Sequence, residues 1–278
     1  MTSIVSSDSV ARGSMGDPVR SLKRIASKLW NPRATSPLLL LLLWEIGART
    51  GVIPPRVLAA PSAVVGTFMD MTLSGELPWH LGVSLLRVLA GLAIGVAVGA
   101  ALALAAGLTR RGEVLVDPPL QMLRTLPLLA LVPLFIVWFG IGEAPKIGLI
   151  ALGALFPVYL NLFNGIRSVD AKLVEAARVF GLSRRELIRH VVLPGAAPGF
   201  LLGLRYALGV AWLCLVVAEQ INAASGLGAL VNSARDFLRT DVIVLCLLVY
   251  AGIGLAADSL VRALERRALA WRPSFLEN

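Results

Sequence analysis

The sequence predicts an all-α membrane protein that crosses the bilayer six times. Of its 278 residues, 57% are apolar and only 15% are charged, whereas soluble domains carry about 25% charged residues. The apolar residues collect in runs that approach or exceed the roughly 20 residues that a membrane-spanning helix needs. Lysine and arginine concentrate between alternate runs. Together these three observations indicate a polytopic membrane protein, and the segments support that prediction in order.

Residues 1–33 are predicted to form a cytoplasmic tail. They begin polar and serine-rich, and they lack an apolar core followed by a small-residue cleavage site, so no cleavable signal peptide is expected. Apolar residues between Val19 and Leu29 recur at helical spacing among basic ones. This pattern fits a basic helix on the membrane surface, and a disordered tail fits it equally well.

The membrane domain is predicted to occupy residues 34–265, and the sequence pattern supports its first span less strongly than its second. The first, from Ala34 to about Thr50, is interrupted by Glu45 near its outer end. Prolines and an apolar helical face follow it and predict an interfacial helix outside the membrane. Arg87 then precedes the second span, and its long side chain is expected to reach the lipid headgroups.

The second span, Val88 to Thr109, is uncharged and carries small residues at successive i+4 positions. A stripe of small residues lets another helix approach closely, within the subunit or across a dimer. The alternative is that glycine is simply frequent in membrane helices. The residues predicted to form this packing face are Gly91, Gly95, Gly99 and Ala103.

The later spans are predicted near residues 119–138, 147–166, 198–218 and 242–261, with loops at 108–116 and 219–241 and a basic tail at 266–278. Pro127 and Pro133 interrupt the third span and predict a kink inside the bundle, because proline frees a backbone carbonyl that other groups must satisfy.

Two arginines fall inside predicted spans, Arg124 in the third and Arg205 near the middle of the fifth. A charged side chain is costly within a membrane, so each must meet a protein partner or a water-filled cavity. Both are therefore candidates for a functional role inside the membrane. The alternative is a structural role, in which they pair with carbonyls at kinks or with an acid such as Asp258.

The distribution of basic residues sets the expected orientation. The four segments on one side hold 18 lysines and arginines, and the three loops on the other side hold five. Positive residues favour the cytoplasmic side, so both termini and residues 170–194 are predicted to be cytoplasmic. The net charge of +9 therefore needs no nucleic acid to explain it.

The cytoplasmic segment 170–194 is charged and amphipathic, and it predicts two short helices joined by a sharp turn. Asp170 can cap the first helix, and Gly181 suits the left-handed position that ends it. Ser183 and Glu186 have the spacing of a capping box that opens the second helix, and Pro194 is expected to close the unit. A DNA-binding helix-turn-helix shares this pattern, but membrane spans flank the segment on both sides.

The same segment resembles the cytoplasmic signature of permease subunits of ATP-binding-cassette (ABC) importers, which is Glu-Ala-Ala, three residues, Gly, nine residues, Ile, one residue, Leu-Pro. Only Val191, in place of Ile, departs from it. The resemblance implies a coupling helix pair that sits in a cleft of a separate ATPase subunit. The residues assigned to coupling are Glu175, Ala176, Ala177, Gly181, Leu193 and Pro194.

The resemblance extends over about residues 44–273, where several segments look like the aliphatic-sulfonate branch, and taurine and nitrate permeases share much of the pattern. It implies the type I importer permease fold and a multi-pass protein of the bacterial inner membrane. The implied partners are a second copy of the chain, two ATPase subunits that bind ATP and Mg²⁺, and an extracytoplasmic substrate-binding protein. An alkanesulfonate is an anion, and guanidinium groups suit oxyanions, which is consistent with a pathway role for Arg124 and Arg205.

No enzymatic activity, metal site or cofactor is predicted for this chain. It lacks the G-x-x-x-x-G-K-[ST] motif of a P-loop, and Cys214 and Cys246 lie in apolar runs, where they are expected to act as small packing residues. A self-contained secondary transporter or channel is the remaining alternative. It is disfavoured because the spans show no series of acidic residues for a proton relay.

Overall fold

The computed structural model describes residues 32–221 and 223–269, and within them the protein is helical without strands. It also contains a 3₁₀ turn at Leu128–Leu131 and a π-helical turn at Ile188–Val192. The α-helices are α1 Pro32–Arg49, α2 Pro61–Leu73, α3 Glu76–Leu108, α4 Arg110–Arg124, α5 Val132–Phe139, α6 Glu143–Arg167, α7 Ala171–Val179, α8 Arg184–Leu187, α9 Leu193–Gln220, α10 Leu227–Asp236 and α11 Thr240–Ala268.

The residues up to Pro54 and those from Pro55 onward form two compact units. The first unit contains α1, whose 18 residues are slightly fewer than the roughly 20 that span a bilayer. Within α1, Arg49 pairs with Glu45 at 2.5 Å. The predicted surface helix in residues 1–33 lies outside the described residues.

Among the described residues of the second unit, four helices are long and apolar enough to cross a membrane: α3, α6, the continuous stretch Arg184–Gln220 that contains α9, and α11. Helix α4 and residues 128–139 form a fifth candidate, bent by 91°. The all-α membrane fold is therefore confirmed. The first predicted span, at residues 34–50, would bring the number to six, and it stays a prediction.

Helix α6 is the centre of the second unit, packed between α3 and α9. Its contact with α3 is made by the small-residue stripe. A Cβ added at Gly91 would lie 2.6 Å from Ile150, and one at Gly99 would lie 2.7 Å from the carbonyl oxygen of Leu155. On the other side of α6, Gly199 of α9 comes equally close to the backbone of Asn161. The glycines therefore let three backbones approach within one chain.

The third span is predicted to be one kinked helix, whereas the structure has two separate helices, α4 and α5. Residues 108–116, predicted to be a loop, contain the start of α4, where the Thr109 hydroxyl accepts a bond from the amide of Gly112 at 3.0 Å. Helix α4 ends at Arg124, and the chain then turns by 91°. Because Pro127 has no N–H and disfavours helical backbone in the residue before it, the helix stops there instead of bending.

The predicted loop at residues 219–241 is also wrong, since it contains α10, which packs on α9 and α11. Leu227 is fully buried and Leu230 is 6% exposed. The segment is too short and too polar to register as a span, yet α2 and α11 supply an apolar surface that its few large apolar residues cover.

Pro194 does not close the coupling unit. Helix α9 begins at Leu193, one residue before it, and the helical path from Arg184 continues unbroken to Gln220. The π-helical turn before Leu193 changes the hydrogen-bond register, and Pro194 then falls in the first turn of the new stretch, where a missing N–H breaks no bond. The second coupling helix is thereby continuous with a membrane helix.

Candidate coupling site and translocation path

The first helix of the 170–194 segment is closed at both ends by local bonds. The Asp170 carboxylate accepts the amide of Lys172 at 2.9 Å. At the other end Gly181 has φ +79°, its amide donates to the carbonyl of Arg178, and the amide of Leu182 donates to that of Ala177. This pair of bonds is the Schellman arrangement, which requires a left-handed residue at the Gly181 position.

The second helix opens on a complete capping box. The amide of Ser183 donates to the Glu186 carboxylate at 2.8 Å, and the Ser183 hydroxyl accepts the Glu186 amide at 3.4 Å. Leu187 is buried at 9% exposure. Backbone and capping bonds therefore define the turn between the two helices.

The coupling signature lies mostly on an accessible surface. Ala177 is buried, whereas Glu175, Ala176, Gly181, Leu193 and Pro194 are exposed. Leu173, Ala177 and Phe180 are spaced to lie on one face of the first helix, but only Ala177 is buried. Leu173, Val179 and Phe180 are 59%, 86% and 83% exposed. An exposed apolar patch of this kind outside the membrane-spanning helices indicates a protein contact.

Arg205 occupies a cleft between α9 and α11. Its Nε donates to the Asp258 carboxylate at 2.9 Å, and Arg262 binds the same carboxylate at 2.8 Å. The cleft has a volume of about 380 Å³ and is also lined by Trp212 and Tyr250. Because the Arg205 side chain remains 41% exposed, the pairing with Asp258 and a place beside an open cavity occur together.

Arg124 lies elsewhere, at the end of α4 beside the 91° bend. It is exposed, and within the described residues its side chain makes no hydrogen bond or ion pair. The structure does not bring it into the cleft of Arg205.

The sequence prediction for Arg87 is wrong, because its side chain is only 3% exposed and does not reach outward. Its guanidinium forms a bidentate pair with Glu143 and a 2.6 Å bond with Glu219. It also donates to the carbonyl and the hydroxyl of Ser225. All five N–H donors of Arg87 are therefore used.

Glu219, predicted to begin a loop, is fully buried at the end of α9. Besides Arg87, its carboxylate accepts bonds from the Ser84 hydroxyl at 2.7 Å, the Gly228 amide at 2.9 Å and the Tyr250 hydroxyl at 3.1 Å. The network therefore joins α3, α6, α9, α10 and α11 at the end of the bundle opposite the coupling segment. The membrane helices therefore do contain a buried acidic side chain, but Glu219 is paired with the cationic Arg87.

Lys146 completes the charge balance of this cluster. It is 5% exposed, donates to the carbonyl of Gly142 at 2.8 Å and lies 3.4 Å from Glu143. The charges of the two basic and two acidic side chains therefore sum to zero. The sequence contains one signal of this cluster, because the four charges fall towards the starts of α3 and α6 and the end of α9, which are on the same side of the bundle.

Comparison with known proteins identifies the group to which these features belong. Residues 91–269 match the family described as binding-protein-dependent transport system inner membrane component. Two proteins named putative aliphatic sulfonates transport permease protein SsuC are similar: that of Bacillus subtilis strain 168 is 46% identical over 88% of this chain and 89% of its own, and that of Escherichia coli K12 is 48% identical over 86% and 91%. The taurine transport system permease protein TauC of E. coli K12 is 39% identical over 84% of this chain and 86% of its own.

Solved structures agree on the fold. An amino acid ABC transporter chain superposes with a TM-score of 0.59 at 20% identity, covering 73% of this chain and 96% of its own. A chain of the MetNI methionine ABC transporter in an inward facing conformation gives 0.51 at 22% identity, covering 65% and 92%.

These findings confirm the resemblance drawn from the 170–194 segment. The relatives are named as permease proteins, so the chain is a membrane permease subunit and not an enzyme. Because the family match spans well over half of the chain and both SsuC proteins align with more than four fifths of it, the chain belongs to the family of binding-protein-dependent transport system inner membrane components.

Proposed function

We propose that this chain is the permease subunit of an ATP-driven importer and forms the membrane path for aliphatic sulfonates. The observation that carries this proposal is the identity of 46% and 48% to two permeases named for aliphatic sulfonates, over nearly the whole length of each. The match to the taurine permease is weaker, at 39%. Taurine is itself a sulfonate, so both matches favour the same anionic group.

Coupling to ATP hydrolysis is assigned to the 170–194 segment. Its exposed Leu173, Val179 and Phe180 offer an apolar surface that a cleft in an ATPase subunit can bury. Helix α8 continues into α9, so a movement of the segment reaches the helix that carries Arg205. The proposed assembly contains two copies of this chain, two ATPase subunits that bind ATP and Mg²⁺, and an extracytoplasmic binding protein.

The path is assigned to the cleft between α9 and α11. Arg205 gives it a cation, and Trp212 and Tyr250 give it apolar walls with polar edges. An alkanesulfonate presents an oxyanion at one end and a hydrocarbon chain at the other, which suits such a surface. Arg124 is proposed to add positive potential near the bend. The proposed setting is the inner membrane of a bacterial cell, and the charge asymmetry favours cytoplasmic termini.

Reconstitution tests the proposal directly. The chain is placed in proteoliposomes with its ATPase and binding protein, and uptake of labelled alkanesulfonate is measured with and without ATP. We expect ATP-dependent uptake, with taurine as the weaker competitor. Uptake by the chain alone would instead establish a self-contained transporter, and uptake of taurine without alkanesulfonate would assign the taurine branch.

A further inference from the structure

A second cleft, of about 530 Å³, lies where the spanning helices end beside the coupling segment. Ligand pockets commonly have volumes of about 300–1,000 Å³. Helix α3 contributes its last two residues to the cleft, and α6 contributes its C-terminal turn. The opposite wall comes from α7, α8 and the turn between them. The apolar lining residues are Leu108, Ile166, Val169, Val174, Leu182, Leu187, Ile188 and Val192.

Two arginines, Arg178 and Arg184, also line this cleft. Among the described residues neither forms an ion pair, and the one contact of Arg184 is a 3.4 Å bond to the carbonyl of Leu108. Of the acids nearby in the chain or the fold, Glu113 pairs with Arg167 at 3.0 Å and Glu186 accepts the Ser183 hydroxyl at 2.7 Å. Neither Glu186 nor Glu175 forms an ion pair with the two cleft arginines. The cleft therefore combines an apolar wall with two arginines that form no ion pair among the described residues.

We propose that this cleft binds one anionic phospholipid of the leaflet on the coupling side. Its phosphate would lie between Arg178 and Arg184, because guanidinium groups form paired bonds with phosphate oxygens. One acyl chain would cover the apolar wall. The cleft lies at the ends of α3 and α6, which is the depth of the headgroups, and basic pockets between membrane helices bind such lipids. A free phosphate ion would leave the apolar wall uncovered.

The occupied cleft would hold the coupling helices against the ends of α3 and α6. The lipid would fill the space between that unit and the spanning helices. This inference concerns a lipid site and does not depend on which substrate is carried.

The first test compares two double variants of the full-length chain. Arg178→Gln with Arg184→Gln removes both cleft arginines, and Arg185→Gln with Arg189→Gln removes two exposed arginines of the same segment that do not line the cleft. Binding of phosphatidylglycerol and phosphatidylcholine to the purified proteins is measured by native mass spectrometry. We expect one phosphatidylglycerol per chain, weakened about tenfold or more in the first variant and unchanged in the second. An equal loss in both would show general surface attraction and overturn the proposal.

The second test blocks the cleft without changing charge. Val174→Trp places a large ring in the lining, and Val179→Trp places the same ring at a position that is 86% exposed. Lipid binding should be lost in the first and kept in the second. Retention by Val174→Trp would overturn the proposal, and so would a loss of ATPase binding in the Arg178 and Arg184 variant with lipid binding intact, which would assign both arginines to the protein interface.

Discussion

Replacing Arg87 by glutamine should destabilise the protein more than any exposed charge change. Glu219 would keep its bonds from Ser84, Gly228 and Tyr250, but it would lose the cation that makes a fully buried carboxylate tolerable. Removing one partner of a buried pair typically costs about 3–5 kcal/mol. For a chain of this size about 1 kcal/mol corresponds to 2–4 °C, so the unfolding midpoint should fall by about 6–20 °C.

A double variant separates the charge effect from loss of packing. In Arg87→Gln with Glu219→Gln both charges disappear, and Glu143 keeps Lys146 at 3.4 Å as its partner. The cluster is then neutral again, so the cost should be smaller than the sum of the two single changes by about 2 kcal/mol or more. Arg167→Gln is the control, because the Arg167–Glu113 pair is 54% and 33% exposed and such pairs contribute at most about 1 kcal/mol.

The chain carries its own probe for this measurement. Cys214 and Cys246, its two cysteines, are 1% and 0% exposed, so a thiol-reactive fluorophore reports unfolding of the detergent-solubilised protein. An Arg87→Gln midpoint equal to that of Arg167→Gln would refute the argument. Strict additivity of the Arg87 and Glu219 changes would likewise show that the two side chains are not coupled.

Three further predictions use the same protein. Gly95→Leu should lower the free energy of unfolding by about 1–3 kcal/mol or more, because an added Cβ overlaps the Ala151 carbonyl. Gly252→Leu is the control, since a Cβ at Gly252 meets open space, and it should leave that free energy unchanged. Equal unfolding midpoints for the two variants would contradict this prediction. Gly181→Val forces a branched residue to φ +79° and should reduce sulfonate-dependent ATPase activity while insertion survives; normal transport would remove the turn from coupling. Arg205→Gln should slow sulfonate uptake with assembly intact, and Asp258→Asn should not mimic it; unchanged uptake would exclude Arg205 from the path.

The features that could be predicted from sequence depend on residues close together in the chain. The capping box of Ser183 and Glu186 is a bond over three residues, and the left-handed turn at Gly181 follows from the steric freedom of one residue. The small-residue stripe of α3 repeats every four residues, and the i+4 spacing places its members on one face. Its partner α6 could not be named, because a stripe specifies that a close neighbour exists and not which helix it is.

The features that were missed depend on contacts across long stretches of chain. To predict the break after α4, the effect of Pro127 on the residue before it has to be given more weight than the apolar run around it. Helix α10 has too few large apolar residues to be recognised alone, and it is buried because α2 and α11 cover it. In both places the hydropathy of a window was a weaker guide than the backbone chemistry or the neighbouring helices.

Arg87 and Glu219 show why a charge is a poor marker for the end of a span. Each was placed at a boundary because an apolar run stops there, and an isolated charge does belong at an interface. The two are 132 residues apart, and the pair together with Glu143 and Lys146 has no net charge, so the cost that hydropathy assigns to each separately is largely offset by their bonds. Balanced charges at one end of several helices therefore indicate a polar layer, here the buried Arg87, Glu219 and Lys146 with Glu143 at its exposed edge. That layer fixes α10 to the helices that line the proposed path.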